Sequence, residues 1–213
     1  MDSPAATRKD LQLGRRLFHI AGGLGVAVAY GLFFTHSEAV YILGATACIA
    51  YVFDKIRVAY PEIARQVQGL ANLFLRAEEK LSESSMIPYV IAVLLTIISF
   101  PKPISLIAIS TLALADPMAS IVGIKFGRHP LAPNRTLEGS LAFFAASLLC
   151  AFFVLFRVAD VAWPAALGIS LMVSLAVTVF ETLPVKLDDN LTIPLFVGFT
   201  GWILCAVFGV TLK

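Results

Sequence analysis

The sequence predicts an all-α, polytopic membrane bundle of about seven transmembrane helices with an amphipathic helix on its cytosolic side. Three observations predict it. Hydrophobic residues make up 59% of the 213 and charged residues only 14%, with a mean hydropathy of +0.87. Soluble domains carry about a quarter charged residues, so this composition excludes an ordinary water-facing globule as well as a disordered chain. Apolar runs long enough to cross a bilayer recur from one end to the other. The basic residues, finally, segregate to one side when those runs are taken as alternating spans.

The candidate spans are Leu17–Thr35, Ser37–Phe53, Met86–Phe100, Ile104–Phe126, Ser140–Phe156, Ala162–Phe180 and Leu191–Thr211. Each run is continuously apolar, whereas a membrane barrel would alternate apolar and polar residues. The third is short and is expected to extend into its polar flanks. Pro164 and Pro194 are expected in the first turn of their spans, where a missing N–H costs little. Two arginines precede the first run and no small-residue cleavage site follows it, so it is read as a retained helix rather than a signal peptide.

Of the sixteen basic residues, all but Lys102, Arg157 and Lys213 fall on the side of the N-terminus. The positive-inside rule therefore puts the N-terminus in the cytosol and the C-terminus outside. In a prokaryote the membrane would be the inner one. The organisation expected is one integral-membrane domain, residues 1–213, with a cytosolic tail at 1–16. A long cytosolic loop covers 54–85, where Ile63, Val67, Leu70, Phe74 and Leu81 recur at helical spacing. Two shorter cytosolic loops cover 127–139 and 181–190. Net charge is only +2, and its segregated distribution argues against a nucleic-acid partner. Cys48, Cys150 and Cys205 lie in separate apolar runs without ligand-type spacing, as small packing residues do.

Asp116 stands out because a carboxylate inside a span costs several kcal/mol and needs a partner or a wet cavity. It lies roughly 13 Å along a straight helix from Lys125. Pro117 follows it and frees a carbonyl one turn back. Ser120, Gly123 and Gly127 continue the same face, which reads equally as a kinked Gly-x-x-x-Gly packing surface. Downstream, Arg128 and Arg135 can neutralise phosphate oxygens, and Gly127 and Gly139 permit close backbone approach. Thr136 is a candidate helix cap. Glu138 is either a first-turn dipole partner or a metal ligand. Glu181, Asp188, Asp189 and Asn190 form an acidic turn that suits a hard divalent cation, or a solvated turn with Asn190 as cap. These three patches open toward one membrane face, which points to metal-dependent phosphoryl chemistry.

The run from Asp116 and Pro117 through Gly123, Lys125, Gly127 and Arg128 to Arg135, Thr136, Glu138 and Gly139 resembles the dolichol kinase, phytol kinase and CTP-dependent diacylglycerol kinase family. Glu181 with Asp188, Asp189, Asn190 and Pro194 is similar to that family's distal motif. Arg15, Arg16 and His19, and Tyr60, Pro61 and Glu62 with Arg76 and Glu78, extend the resemblance over nearly the whole chain. It implies transfer of a phosphoryl group from CTP to the hydroxyl of a polyprenol, phytol-like alcohol or diacylglycerol, with Mg²⁺ or another divalent cation. By the resemblance, Asp116, Glu138 and Asp189 are the expected catalytic residues. Gly123, Lys125, Gly127, Arg128, Arg135, Thr136 and Gly139 are expected around the nucleotide. Asp116, Glu138, Asp188, Asp189 and Asn190 are the expected metal ligands, with Arg15, Arg16, His19, Arg76, Glu78 and Glu181 in supporting places. The partners implied are the nucleotide and a lipid alcohol in the bilayer, with a homodimer left open.

Two departures accompany the resemblance: Ala115 where glycine is common, and Arg135 where lysine usually stands. The central loop also resembles phosphatidate cytidylyltransferases, but their distal Pro-Gly-His-Gly-Gly segment has no counterpart here. A small proton- or ion-coupled transporter is a third reading, weakened by the lack of an internal repeat or a second midplane polar site. No Walker-type or protein-kinase motif set is present.

Overall fold

The computed structural model describes residues 13–60, 86–132, 135–183 and 188–212. The amphipathic pattern from Ile63 to Leu81, with Arg76 and Glu78, lies outside the described residues, as does the side chain of Arg15. Among the described residues the chain forms seven helices and one small hairpin. The helices are α1 (Leu13–Leu32), α2 (His36–Ala59), α3 (Met86–Ser99), α4 (Lys102–Phe126), α5 (Leu137–Phe153), α6 (Trp163–Thr182) and α7 (Asp189–Val207). The hairpin pairs β1 (Pro130–Ala132) with β2 (Arg135–Thr136) in antiparallel fashion. Every expected span has a helix. Five helices are long and apolar enough to cross a membrane, namely α2, α4, α5 with its extension, α6 and α7, while α1 and α3 contribute shorter apolar stretches.

The boundaries move for identifiable reasons. α2 begins after Thr35, whose Oγ1 accepts from the Glu38 N–H at 3.3 Å while Glu38 Oε2 accepts from the Thr35 N–H at 2.8 Å. This reciprocal capping box satisfies two otherwise orphaned donors. The helix then runs past Phe53 to Ala59 and includes the buried Asp54. α5 starts three residues before the expected Ser140, since Thr136 Oγ1 accepts from the Gly139 N–H at 3.2 Å and caps the helix. It continues as a π-helical turn over Val154–Val158. The 127–139 loop is therefore mostly hairpin and first helical turn.

At α7 the cap is Asp188, whose Oδ1 accepts from the Asn190 N–H at 2.9 Å. Asn190, a cap only in the alternative reading of this turn, lies inside the helix. Pro194 consequently falls in the second turn of α7 and not in the first. Lacking an N–H, it leaves the Asn190 carbonyl without its usual helical donor.

α4 is the central element, packed against α1, α5 and α7. Ile104, Ile107, Ile109 and Leu112 on it are fully buried. Small residues set how closely the neighbours approach. A Cβ on Gly23 would stand 2.5 Å from both Ala113 Cβ and the Tyr89 hydroxyl, and one on Gly31 would meet Leu106 at 3.7 Å. α1 therefore runs antiparallel to α4. Gly201 beside Ile104 does the same for α7. Carried along the helices, these two registers bring His19 on α1 and Asp189 on α7 to the level of Asp116. At the opposite end Lys102 Nζ donates to the Phe34 carbonyl at 3.1 Å and lies over the Tyr30 ring, closing the α1–α2 turn onto α4.

Candidate functional site

The site gathers where four helix segments meet under the hairpin. Arg135, at the start of β2, turns its guanidinium inward. Its Nη1 lies 2.6 Å from Glu181 Oε1 and its Nη2 donates to Asp189 Oδ2 at 2.8 Å. A forked guanidinium holding two carboxylates from two helices is a geometry that lysine cannot reproduce. The Glu181 side chain is 2% exposed and the Asp189 side chain 47%, so the pair has a buried and an accessible member. Glu181 Oε2 is buried without a hydrogen-bond partner.

Asp116 joins this group from α4. Within electrostatic reach of its carboxylate are His19, Arg135, Asp189 and Arg16. Within reach of Glu181 are Arg135, Asp116 and Asp189. Three acids, two arginines and a histidine thus share one electrostatic neighbourhood, although they come from α1, α4, β2, α6 and α7. The His19 ring packs edge-on against Tyr89, with ring centres 4.8 Å apart.

Other expected site residues have different surroundings. Glu138 accepts from the His129 backbone N–H at 3.3 Å, and its Oε1 lies 2.7 Å from His129 Nδ1. It ties the first turn of α5 to the entry of the hairpin. Asp188 caps α7, while Lys125 and Arg128 are exposed at the end of α4 and the entry to the hairpin. Gly123, Gly127 and Gly139 form the closest seam between α4 and α5. A Cβ on Gly139 would stand 2.8 Å from the Ala119 carbonyl oxygen, and one on Gly127 would collide with the Gly123 carbonyl oxygen and with Thr136 Cγ2. The packing surface weighed from the sequence is present, and it brings Thr136 and Arg135 to Asp116's helix.

The strongest residue of the cluster by burial, Glu181, ranked low on sequence alone. A signal for it exists in the pattern: Ser170, Ser174, Val177 and Glu181 follow at helical spacing and are all buried. A small-and-polar stripe ending in an acid points that acid into the bundle.

Among the described residues no group of three His, Cys, Asp or Glu side chains is arranged to hold a metal by itself. Mg²⁺ does not require such a cage, because it commonly uses one or two carboxylates together with substrate phosphates. The donor chemistry fits that mode: hard oxygen ligands, with Asp189 half-exposed and Glu181 Oε2 unpartnered.

Comparison with known proteins adds the family context. The chain is 28% identical over 212 residues to a probable chloroplastic phytol kinase 1 of Oryza sativa subsp. japonica, covering 92% of this chain and 65% of that protein. It is 28% identical over 196 residues to the chloroplastic phytol kinase 1 of Arabidopsis thaliana, covering 86% of this chain and 63% of the relative. A CTP-dependent diacylglycerol kinase 1 of Schizosaccharomyces pombe is 26% identical over 146 residues, with 68% of this chain and 67% of the relative covered. The chain thus spans a little under two thirds of the length of the two plant kinases. No family model and no solved structure matches it. The resemblance read from the motifs is borne out: over most of its length this chain is similar to the phytol kinases and CTP-dependent diacylglycerol kinases.

Proposed function

We propose that this chain is a CTP-dependent kinase that phosphorylates the hydroxyl of a membrane lipid alcohol. The observation that carries the reading is the meeting of Asp116, Arg135, Glu181 and Asp189 in one place, in a chain whose relatives are named phytol kinase and CTP-dependent diacylglycerol kinase. Phosphoryl transfer asks a protein mainly for positioning and charge neutralisation. In the proposed reaction the acceptor oxygen bonds to the γ-phosphorus of CTP as the bond to the β–γ bridging oxygen breaks. CDP leaves, and the hydroxyl proton passes to the Asp116 carboxylate.

Arg135 exchanges part of its contact with Asp189 for phosphate oxygens, while buried Glu181 keeps it oriented. Lys125 and Arg128 draw in the triphosphate, and Thr136 with Gly123, Gly127 and Gly139 fixes the hairpin that carries Arg135. Asp189 and Asp116 would hold a divalent cation, with Asn190 and Asp188 beside them and Glu138 steadying the hairpin. Such a cation supplies neutralisation of charge on the transferring phosphoryl group. The reading sets the site on the cytosolic face of a single integral-membrane domain, with the N-terminus inside, in line with the distribution of basic residues.

The test is a panel of phytol, polyprenols and diacylglycerol offered to purified protein with nucleotides labelled at the γ position. Label moving from CTP into the lipid is the expected result. Release of pyrophosphate with formation of a CDP-lipid would replace the kinase by a cytidylyltransferase. Proton or ion flux without nucleotide consumption would make the chain a transporter.

A further inference from the structure

Tyr89 reaches from α3 into the seam between α1 and α4. A Cβ on Gly23 would stand 2.5 Å from its hydroxyl oxygen and 2.5 Å from Ala113 Cβ, so the bare backbone of a glycine is what leaves room for the phenol tip. That hydroxyl is buried with no hydrogen-bond partner, so packing of the ring, and not a polar contact, fixes Tyr89 in the seam. His19 precedes Gly23 by four residues on α1, and Asp116 follows Ala113 by three on α4. Because the two helices run antiparallel, both lie about one turn from the wedged ring in the same direction, toward the hairpin. We propose that Tyr89 is a positioning residue for the transfer reaction: its ring holds the His19 imidazole beside the Asp116 carboxylate. The inference rests on the kinase reading above.

Two contacts carry it. The imidazole of His19 meets the Tyr89 ring edge-on, with centres 4.8 Å apart and planes inclined by 64°, an arrangement that aromatic pairs prefer and that restricts how the imidazole can turn. His19 in turn lies within electrostatic reach of Asp116. A base must stand within hydrogen-bond reach of the proton it takes, and a displacement of about 1 Å at such a group can cost on the order of 10²-fold in rate. Arg135 meets the same cluster from the hairpin, through Glu181 and Asp189. Nucleotide binding therefore does not depend on the Tyr89 ring, and its loss falls on the chemical step. The hydroxyl, making no hydrogen bond, is dispensable to this role, so phenylalanine should serve in its place.

The experiment uses the whole chain in lipid nanodiscs and reads it twice. The sequence holds three histidines, so ring signals from ¹³C-labelled histidine are few, and a His19→Ala variant assigns the one that matters. Without nucleotide, Tyr89→Leu, Tyr89→Met and Asp116→Asn should each move the His19 signal and leave that of His129 in place, while Tyr89→Phe leaves both. In transfer assays Tyr89→Leu and Tyr89→Met should lower kcat by about 10- to 100-fold with the KM for CTP little changed, the mark of an interaction used in the transition state. Tyr89→Phe should retain the wild-type kcat. Added to His19→Ala, Tyr89→Leu should bring no further loss, because both act through one imidazole. Additive losses, a Tyr89→Phe as impaired as Tyr89→Leu, or a His19 signal that ignores Tyr89 would overturn the inference. Failure of both non-aromatic variants to fold would overturn it too, making Tyr89 a wedge and no more. A His19 signal that moves as expected in a chain that transfers no phosphoryl group would sink the kinase reading and leave the Tyr89–His19–Asp116 arrangement standing. Turnover indifferent to loss of the ring would do the reverse.

Discussion

The Arg135 guanidinium lies 2.6 Å from the Glu181 carboxylate, although β2 and the end of α6 are separated in the chain by the whole of α5 and most of α6. The contact joins the hairpin to the helix ends and leaves the second fork of the guanidinium on Asp189, whose side chain is half-exposed. One nitrogen is thereby anchored in the interior while the other faces a carboxylate that a ligand can reach.

If Asp116 takes the acceptor proton, Asp116→Asn should lower kcat by at least about 10²-fold, the lower range for general base catalysis. The folded protein should persist in detergent, since removing a charge from a partly buried position need not destabilise. Steady-state transfer assays beside thermal unfolding check both halves, and a fully active variant removes Asp116 from the chemistry.

Arg135→Lys keeps the charge but loses the fork. It should raise the KM for CTP and lower kcat/KM by about 10-fold or more, which corresponds to roughly 1.4 kcal/mol. In a double-mutant cycle with Glu181→Gln, the two losses should be far from additive, because both act on one contact. Additive losses would mean that Glu181 does not act through Arg135.

Gly127→Ala should cost about 1–3 kcal/mol, the scale of overpacking a close seam, because its Cβ would strike the Gly123 carbonyl and Thr136. Gly22→Ala, where a Cβ meets nothing within 4 Å on a helical stretch, should be neutral or stabilising by about 0.5–1 kcal/mol. Unfolding of the two variants under one detergent condition tests the contrast, and equal stabilities would mean that the seam is not tight.

Thr136→Ala removes the side-chain acceptor of the Gly139 N–H and should cost about 1 kcal/mol. Thr136→Ser keeps the hydroxyl and should recover most of that loss. Since the cap also fixes the hairpin beside Arg135, Thr136→Ala should raise the KM for nucleotide more than Thr136→Ser does.

By itself the sequence determined the helical class and all seven apolar helices, because a bilayer leaves a chain of long apolar runs few ways to satisfy its backbone. It also singled out Asp116, since an acid inside an apolar run is costly wherever the run lies. The Thr136 cap was legible too, because a helix start is a local event. Only the tertiary structure decided which of the acids share a place with Asp116. Glu181, expected only in a supporting place, is the buried anchor of Arg135, while Glu138 is held by His129 at the entry to the hairpin instead. Pairing of that kind depends on the antiparallel register of α1, α4 and α7, which is set by Gly23, Gly31 and Gly201 against distant helices. Helical spacing within one segment carries no information about which turn of another helix it will face. For that reason the motifs named the candidates, and packing chose among them.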